Sequence, residues 1–428
     1  MSQRGTEAVE RIFADRMPET ARRIGSADDG KKLPLTPIIF GAGTFGHAYN
    51  DSRQLAETTI PEETIRRAFA SGINAIDTSP YYRGSEAIIG NVLGDVNFRQ
   101  QFPRHKYHIL TKAGRYGADS SAFDYSANRI KTSVKESLRL LKTDYLDVVY
   151  LHDVEFVAED VEDANAAGLH KAPRLLLNKQ GRLEEKRWGL SKDMAGIVHG
   201  DGDRSILEAA GALFELKDKG LIRRVGISGL PLPTILRLAR LILYHHKRPL
   251  DIVLSYAHHS IQNDTLGQWL PMLFDAGLLQ VVNASPFSMG MLTRRGAPDW
   301  HPAPAQLRQA VRDLSEEIIK SHPPKGGLAS DVQGHEAPRT TIERVALAYG
   351  LSSASPLAKQ ATVTAVGFSS PEEVEEALAV YELVYGKCSS AAALDEMTHW
   401  AVIAQERLTQ AGFQDWIWAQ PDPLIGKP

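Results

Sequence analysis

TIPEETIRRAFASGINAID (Thr59–Asp77) reads as one helix, one stop and one buried strand, in that order. Thr59 suits a helix cap, Pro61 the first helical turn, and Glu62 and Glu63 the positive end of the helix dipole. Ile65, Ala68 and Phe69 fall on one face, and Gly72 is placed to end the helix. The apolar run Ile73–Ile76 then reads as a strand, and it stops at an acid, Asp77.

The same unit recurs on either side. Pro37–Phe40 is a strand-like run upstream. Downstream, Tyr107–Leu110 runs into Thr111 and Lys112, and Leu146–Leu151 runs into His152. Between them Ser126 suits the cap of a helix whose apolar face carries Ile130, Val134, Leu138 and Leu141. Arg224–Ile227, Ile252–Leu254, Leu279–Val282 and Val363–Val366 bring the strand-like runs to eight, each parted from the next by helical sequence. Nearly continuous Val, Ile and Leu runs belong to parallel strands covered on both faces. Eight such strands close into a barrel, so an α/β class (β/α)8 TIM barrel is predicted.

Residues 1–32 end in GSADDGKK, a cluster that reads as a tail or linker before a barrel spanning 33–388. Two segments break the rhythm. Ala158–Arg204, after the fourth strand, mixes charges with Gly and Pro, and Ser321–Arg339 has a loop composition. An insertion on the strand-to-helix side would lie by the active face as a wall or lid. Residues 389–428, with Leu394, Trp400, Ile403 and Leu408, predict a helical tail packed outside the barrel.

The 428 residues carry a net charge of −3 from 49 basic and 52 acidic groups. That balance provides no electrostatic footprint for nucleic acid or an anionic membrane, so a small-molecule partner is expected. At 43% hydrophobic and 24% charged, the chain is not a disordered one. The lone cysteine, Cys388, excludes an intrachain disulfide and a cysteine zinc cluster. MSQRGTEAVERIFADR has no apolar core for a secretory signal, and TILRLARLILYHH is short and carries Arg237 and Arg240. A cytoplasmic protein is expected, while its oligomeric state is left open.

Several motifs invite other chemistry. GAGTFG (Gly41–Gly46) satisfies G-x-G-x-x-G after a strand, but HAYNDSRQL follows it with two turn-formers and no apolar period. A dinucleotide fingerprint needs a helix opening at those glycines. GISG (Gly226–Gly229) lacks the second spacer of a nucleophile elbow. His245–His246 and His258–His259 are adjacent pairs that share no face, and read as surface or loop residues. His152, Asp153 and Glu155 sketch a metal site, but no second cluster accompanies them, so no metal is expected.

Asp77, Lys112 and His152 end successive strands, where the mouth of a parallel barrel gathers its active site. The plainer reading is a structural ion pair between Asp77 and Lys112 beside a hydrogen-bonded histidine. DTSPYYRGSE (Asp77–Glu86) adds Tyr82, five residues on in the loop over the mouth. A phenolate ~4 Å from an ammonium gains ~4 kcal/mol at a surface-like dielectric, which would lower a phenol from ~10 toward neutrality. Such a group serves proton transfer coupled to hydride transfer.

DTSPYY, TKAG, YLHD, GISGLPL and SPFSMGMLT, in this order, resemble the aldo-keto reductase superfamily, whose fold is a (β/α)8 barrel. GISGLPL and LSYAHHSIQNDTL look most like its branch of L-galactose dehydrogenase and fungal NAD-linked D-arabinose dehydrogenases. The resemblance implies Tyr82 as general acid and base, with Asp77, Lys112 and His152 completing a tetrad. It also implies Gly43, Thr44 and Phe45 near the cofactor, Ser228 on the nicotinamide amide, and Ser285 and Phe287 along the pyrophosphate. Gly367 to Ser370, with Ser369 between, and Glu376 would surround the adenosine.

Two positions depart from that pattern. Ala284 stands where many members stack a tyrosine on the nicotinamide, and Ala377 where an asparagine meets the adenine. GFSSPEEVEEA lacks the base that pairs a 2′-phosphate, and Glu372 and Glu373 would repel one, so NAD is expected over NADP. The plainer reading gives these glutamates to a helix N-terminus, with a remote arginine for the phosphate.

The implied reaction is oxidation of a cyclic aldose at its anomeric carbon to the lactone, with D-arabinose, L-galactose or L-fucose as substrate. Trp300 and His301, or the Ala158–Arg204 insertion, would line the sugar pocket. The alternatives are a broad carbonyl reductase and a cofactor-binding regulatory subunit with little turnover.

Overall fold

A computed structural model describes residues 32–46, 48–173, 179–321, 340–352, 362–386 and 391–419. Eight parallel strands close into a barrel in chain order. They are β1 (Ile38–Gly41), β2 (Ala75–Asp77), β3 (His108–Ala113), β4 (Leu146–Leu151), β5 (Ile222–Gly229), β6 (Ile252–Tyr256), β7 (Gln280–Ala284) and β8 (Thr362–Gly367). Most run past the end of their apolar stretch, because the ladder is made by backbone groups and continues through polar residues at the mouth.

Side-chain alternation splits the strands into two layers. Ile39, Ala75, Leu110, Val148, Tyr150, Ile252, Leu254, Val282 and Ala365 pack together inside the barrel. Ile38, Phe40, Ile76, Ile109, Val149, Ile227 and Val253 face the surrounding helices. The Tyr150 ring is accommodated because Gly226 faces it, where a Cβ would come within 2.7 Å of the ring. Register then fixes what stands one layer higher. Asp77 pairs with Leu110 and Lys112 with Tyr150 on neighbouring strands.

The first barrel helix, after a short turn of helix at Ser52–Ala56, runs Ile60–Ala70, with Pro61, Ile65, Ala68 and Phe69 buried. Thr59 takes the cap position but makes no side-chain capping bond, and neither does Ser126 before the helix Ala127–Leu140. Gly72 ends the first helix at φ 92°, where a Cβ would be strained.

Within the excursion after β4, Gly168–Leu169 pairs antiparallel with Trp416–Ile417, far along the chain. A helix at Lys179–Arg187 follows, and the next barrel helix, Asp201–Asp218, already begins inside the expected insertion. Residues 322–339 of the second expected insertion, the N-terminal stretch through residue 31 and Cys388 lie outside the described residues. The helix Ala391–Gln410 buries Trp400 and Leu408 in an apolar cluster with Leu307, Val311 and Ile342 on neighbouring helices. The chain then turns back toward the mouth, where Gln262 Nε2 donates to the carbonyls of Phe413 and Trp416 at 3.0 and 2.9 Å.

Candidate active site

Two residues beyond Ala75, Leu110 and Tyr150 on their strands lie Asp77, Lys112 and His152, so all three point into the mouth. All are buried. Lys112 Nζ donates to Asp77 Oδ1 at 2.5 Å and to the Thr78 carbonyl at 3.0 Å. The loop after β2 folds Tyr82 back over them. Its ring centroid is 4.9 Å from Lys112 Nζ, and its ring meets His152 edge-on at 5.8 Å. The four residues singled out from the sequence therefore share one corner.

Glycines allow this closeness. A Cβ at Gly46 would come within 2.9 Å of the Tyr82 backbone, and one at Gly43 would lie 3.6 Å from its ring. GAGTFG forms one 3-10 turn, Ala42–Phe45, and opens no α-helix. It lacks the helix N-terminus that a dinucleotide fingerprint presents to phosphate.

The electrostatics correct one expectation. Burial raises the Tyr82 phenol above its usual value, and Lys112 pulls the other way without reversing the shift; Asp77 and Asp153 add to the rise. A phenolate cut off from water loses more hydration than one neighbouring ammonium returns. Burial also opposes the charge on Lys112, yet Asp77 and Tyr82 hold it above the ordinary range. Burial lowers His152 to about 3, which leaves a neutral imidazole. Its Nδ1 shares a 2.9 Å hydrogen bond with Ser79 Oγ, and its Nε2 lies 3.5 Å from Asp153 Oδ2.

The mouth layer is lopsided. Asp77, Lys112, His152 and Ser228 are buried, whereas Ala284, Gly367 and Gly41, on three of the other four strands, are small and partly open. Ser228 Oγ accepts from Asp153 N at 3.4 Å and donates to the Leu151 carbonyl at 3.3 Å. Thr44 donates to the Phe368 carbonyl at 2.5 Å, and Asn50 Nδ2 donates to the Thr44 carbonyl at 2.7 Å and Ser369 Oγ at 3.2 Å. The first and last strand loops are thus tied together. Phe45 is different: it is fully buried, with its ring against Phe40. Ser285 sits at φ 59° and its Oγ accepts from Met289 N at 2.7 Å, while Phe287 packs into the apolar clusters.

At the last loop, Ser370 caps the helix Pro371–Tyr385 and Glu373 reaches back to accept from Ser369 N at 2.6 Å. This resembles a capping box, with the glutamate bonding the residue before the cap instead of the cap itself. Glu376 is held by Arg344 at 2.6 Å. Trp300 is 39% exposed on the loop after β7, donates to the Ala48 carbonyl at 2.9 Å and packs edge-on against Tyr49. His301 is buried and bonds the Ser288 carbonyl, against Trp418.

Some neighbours escaped the sequence reading. The sequence sketch of a metal site at His152, Asp153 and Glu155 resolves into two separate pairings. Asp153 is bound by Arg115, and Glu155 Oε1 accepts from Leu230 N at 2.9 Å. Burial, reinforced by Asp153, raises the Glu155 carboxyl to about 8. Tyr256 donates to Glu155 Oε1 at 3.4 Å; it follows interior Leu254 by two, so strand alternation alone would have placed it at the mouth. Arg115 had no such signal, as it lies beyond its strand. His258 and His259 lie in the loop after β6 but are buried there, bonded to Ser255 and Asp264. Among the described residues no three His, Cys, Asp or Glu side chains gather as metal ligands, and no helix is long and apolar enough to cross a membrane.

Comparison with known proteins agrees with this geometry. The Aldo/keto reductase family model matches residues 37–397. L-galactose dehydrogenase of Arabidopsis thaliana is 32% identical over 81% of this chain and 84% of its own length. D-arabinose 1-dehydrogenase of Saccharomyces cerevisiae is 35% identical over 66% of this chain and 70% of its own. A holo-form aldo-keto reductase from Bacillus halodurans has the same fold, with a TM-score of 0.52 at 21% identity over 91% of this chain and 96% of its own. Members of the matched family use nicotinamide cofactors. With a closed eight-stranded parallel barrel, a family match over most of its length and dehydrogenase relatives, the chain belongs to the aldo/keto reductase family of oxidoreductases.

Proposed function

We propose that this protein oxidises a cyclic aldose, D-arabinose, L-galactose or a close relative, at its anomeric carbon to the lactone, with NAD as cofactor. One observation carries the reading: a buried phenol, Tyr82, lies against a buried, charged Lys112 and a neutral His152. Two relatives that match over most of their length are named for dehydrogenation of such sugars.

The residues present fit a nicotinamide dinucleotide. Gly41, Ala284 and Gly367 leave one side of the mouth floor open, and a Cβ at Gly43 would begin to fill the space beside the Tyr82 ring. Ser228, Ser285, Ser369 and Ser370 would hold the cofactor, with Gly43, Thr44, Phe45, Phe287, Gly367 and Glu376 around it. Bound NAD supplies the hydride acceptor and a positively charged ring. Tyr82, in its phenolate form, takes the proton from the anomeric hydroxyl and becomes the phenol, and Lys112 stabilises the phenolate that this step consumes. Asp77 keeps Lys112 charged and aimed. His152, neutral, donates to the reacting oxygen from Nε2 while Ser79 holds Nδ1. Trp300, on Tyr49, would wall the sugar pocket.

The preference for NAD rests on the helix Pro371–Tyr385. A helix N-terminus is a natural phosphate site. Here Glu373 fills it from within, and Glu372 adds a second negative charge. The test is NAD and NADP reduction by D-arabinose, L-galactose, L-fucose and D-glucose, with Tyr82→Phe as control. NAD-linked turnover that the variant loses is the expected result. Activity confined to carbonyl reduction, or none, would refute it.

A further inference from the structure

Another charged group reaches the reacting corner, and the tetrad does not use it. Asp153 directly follows His152, and its backbone is left-handed at φ 55° and ψ 61°. Most residues with a side chain are disfavoured there, and aspartate is among the few that tolerate it. The turn swings the carboxylate back over the mouth until Oδ2 lies 3.5 Å from His152 Nε2. Asp153 is only 5% exposed.

Arg115 bonds the same oxygen and is itself clamped. Its guanidinium stacks 3.9 Å from the Tyr81 ring centroid, with Phe123 and Phe156 at 5.2 and 5.0 Å. Burial opposes the charge on Asp153, but the Arg115 guanidinium, bonded to it, and Lys112 hold its carboxyl below the usual range. A buried ion pair adds little net stability, so stability alone gives no reason for a carboxylate placed beside the His152 imidazole.

We propose that Asp153 is a substrate-recognition residue whose carboxylate accepts a hydrogen bond from the hydroxyl next to the reacting carbon, so that the site selects 2-hydroxy substrates over plain alcohols and aldehydes. The inference rests on the aldose reading and names which part of the sugar is recognised. His152 Nε2 addresses the reacting oxygen. The oxygens of a 1,2-diol stand about a hydrogen-bond length apart, so an acceptor 3.5 Å from Nε2 is in reach of the second one. An ionised carboxylate accepts about four hydrogen bonds, and Arg115 takes one of them. A substrate without the hydroxyl leaves a desolvated anion short of a partner, which is how sites built for a hydroxyl reject its absence.

The experiment compares substrates that differ by that one group. D-arabinose and 2-deoxy-D-ribose, the same pentose without the C2 hydroxyl, are oxidised by the wild type, by Asp153→Asn and by Asp153→Ala. Lactaldehyde and propanal are the matching pair for NADH- or NADPH-driven reduction. The wild type should favour the hydroxylated partner by about 10- to 100-fold in kcat/KM, the value of a charge-assisted hydrogen bond. In Asp153→Asn, whose amide oxygen still accepts but carries no charge, that ratio should fall to a few-fold, and in Asp153→Ala, which has no acceptor, it should collapse toward one. The ratio does not depend on what fraction of the variant is folded. A fall of equal size for both partners, with the ratio kept, would overturn the proposal. Absence of sugar oxidation in the wild type would sink the dehydrogenase reading, while lactaldehyde and propanal would still decide the role of Asp153. Turnover of neither pair would overturn both.

Discussion

Replacing Lys112 with methionine tests the proposed machinery most directly. The change keeps an unbranched side chain one atom shorter and removes the charge 4.9 Å from the Tyr82 ring centroid. At an effective dielectric of 20, that charge is worth about 3 kcal/mol to the phenolate, or roughly 2 pKa units. Tyr82 already titrates above its usual range through burial, so the loss pushes it further from neutrality. If phenolate formation limits oxidation, kcat/KM at pH 7 should fall about 100-fold, with activity returning as pH is raised.

The variant also leaves Asp77 in a buried site where its Oδ2 already has no partner. Removing one member of a buried pair costs about 3–5 kcal/mol of stability. The double variant Lys112→Met, Asp77→Asn serves as a folding control. Its rate limb should shift the same way by less, because Lys112 acts on Tyr82 more strongly than Asp77 does. The assay is the pH profile of kcat/KM for sugar-dependent NAD reduction, with thermal melts alongside. An unshifted limb in both variants, or a loss that high pH does not restore, would show that Lys112 does not tune Tyr82.

Three further outcomes follow from the same electrostatics. His152, held near 3, should contribute no ionisation to the kcat/KM profile near 6.5; an inflection there that His152→Gln removes would contradict its neutral role. The unfolded chain releases the Glu155 proton near 4.5 and the folded one near 8, so stability should fall as pH rises between those values, by a few kcal/mol at most. Glu155→Gln should flatten that decline in melts taken at pH 5.5 and 8.5, and equal slopes would refute the assignment. Glu372→Gln with Glu373→Gln should raise NADP use relative to NAD by about tenfold at a cost of ~1 kcal/mol or less, since the amide oxygen can still cap Ser369; an unchanged cofactor ratio would remove the charge argument.

The barrel was legible because its signal is local. Apolar runs such as Leu146–Leu151, separated by helical sequence, mark strands covered on both faces, and the structure confirms eight of them. Strand alternation, a period of two, then carries Asp77, Lys112 and His152 to the mouth without any tertiary information. Boundaries read less well, since β5 begins at Ile222 and ends at Gly229, beyond the apolar run Arg224–Ile227. Backbone pairing does not require apolar side chains.

Distances across the mouth were not written in the chain. That Tyr82 is buried deeply enough to raise its phenol, against the expectation from Lys112 alone, depends on a loop folding over three strands. Arg115 finds Asp153 38 residues away, and Trp416–Ile417 finds Gly168–Leu169 from the far end of the fold. Such partners come together only when the barrel closes, and desolvation, which sets each pKa, exists only once they have. The sequence by itself determined the strands and which residues point into their common mouth, because both follow from local periodicity. Only the tertiary structure decided which charges meet there and how far water is excluded from them.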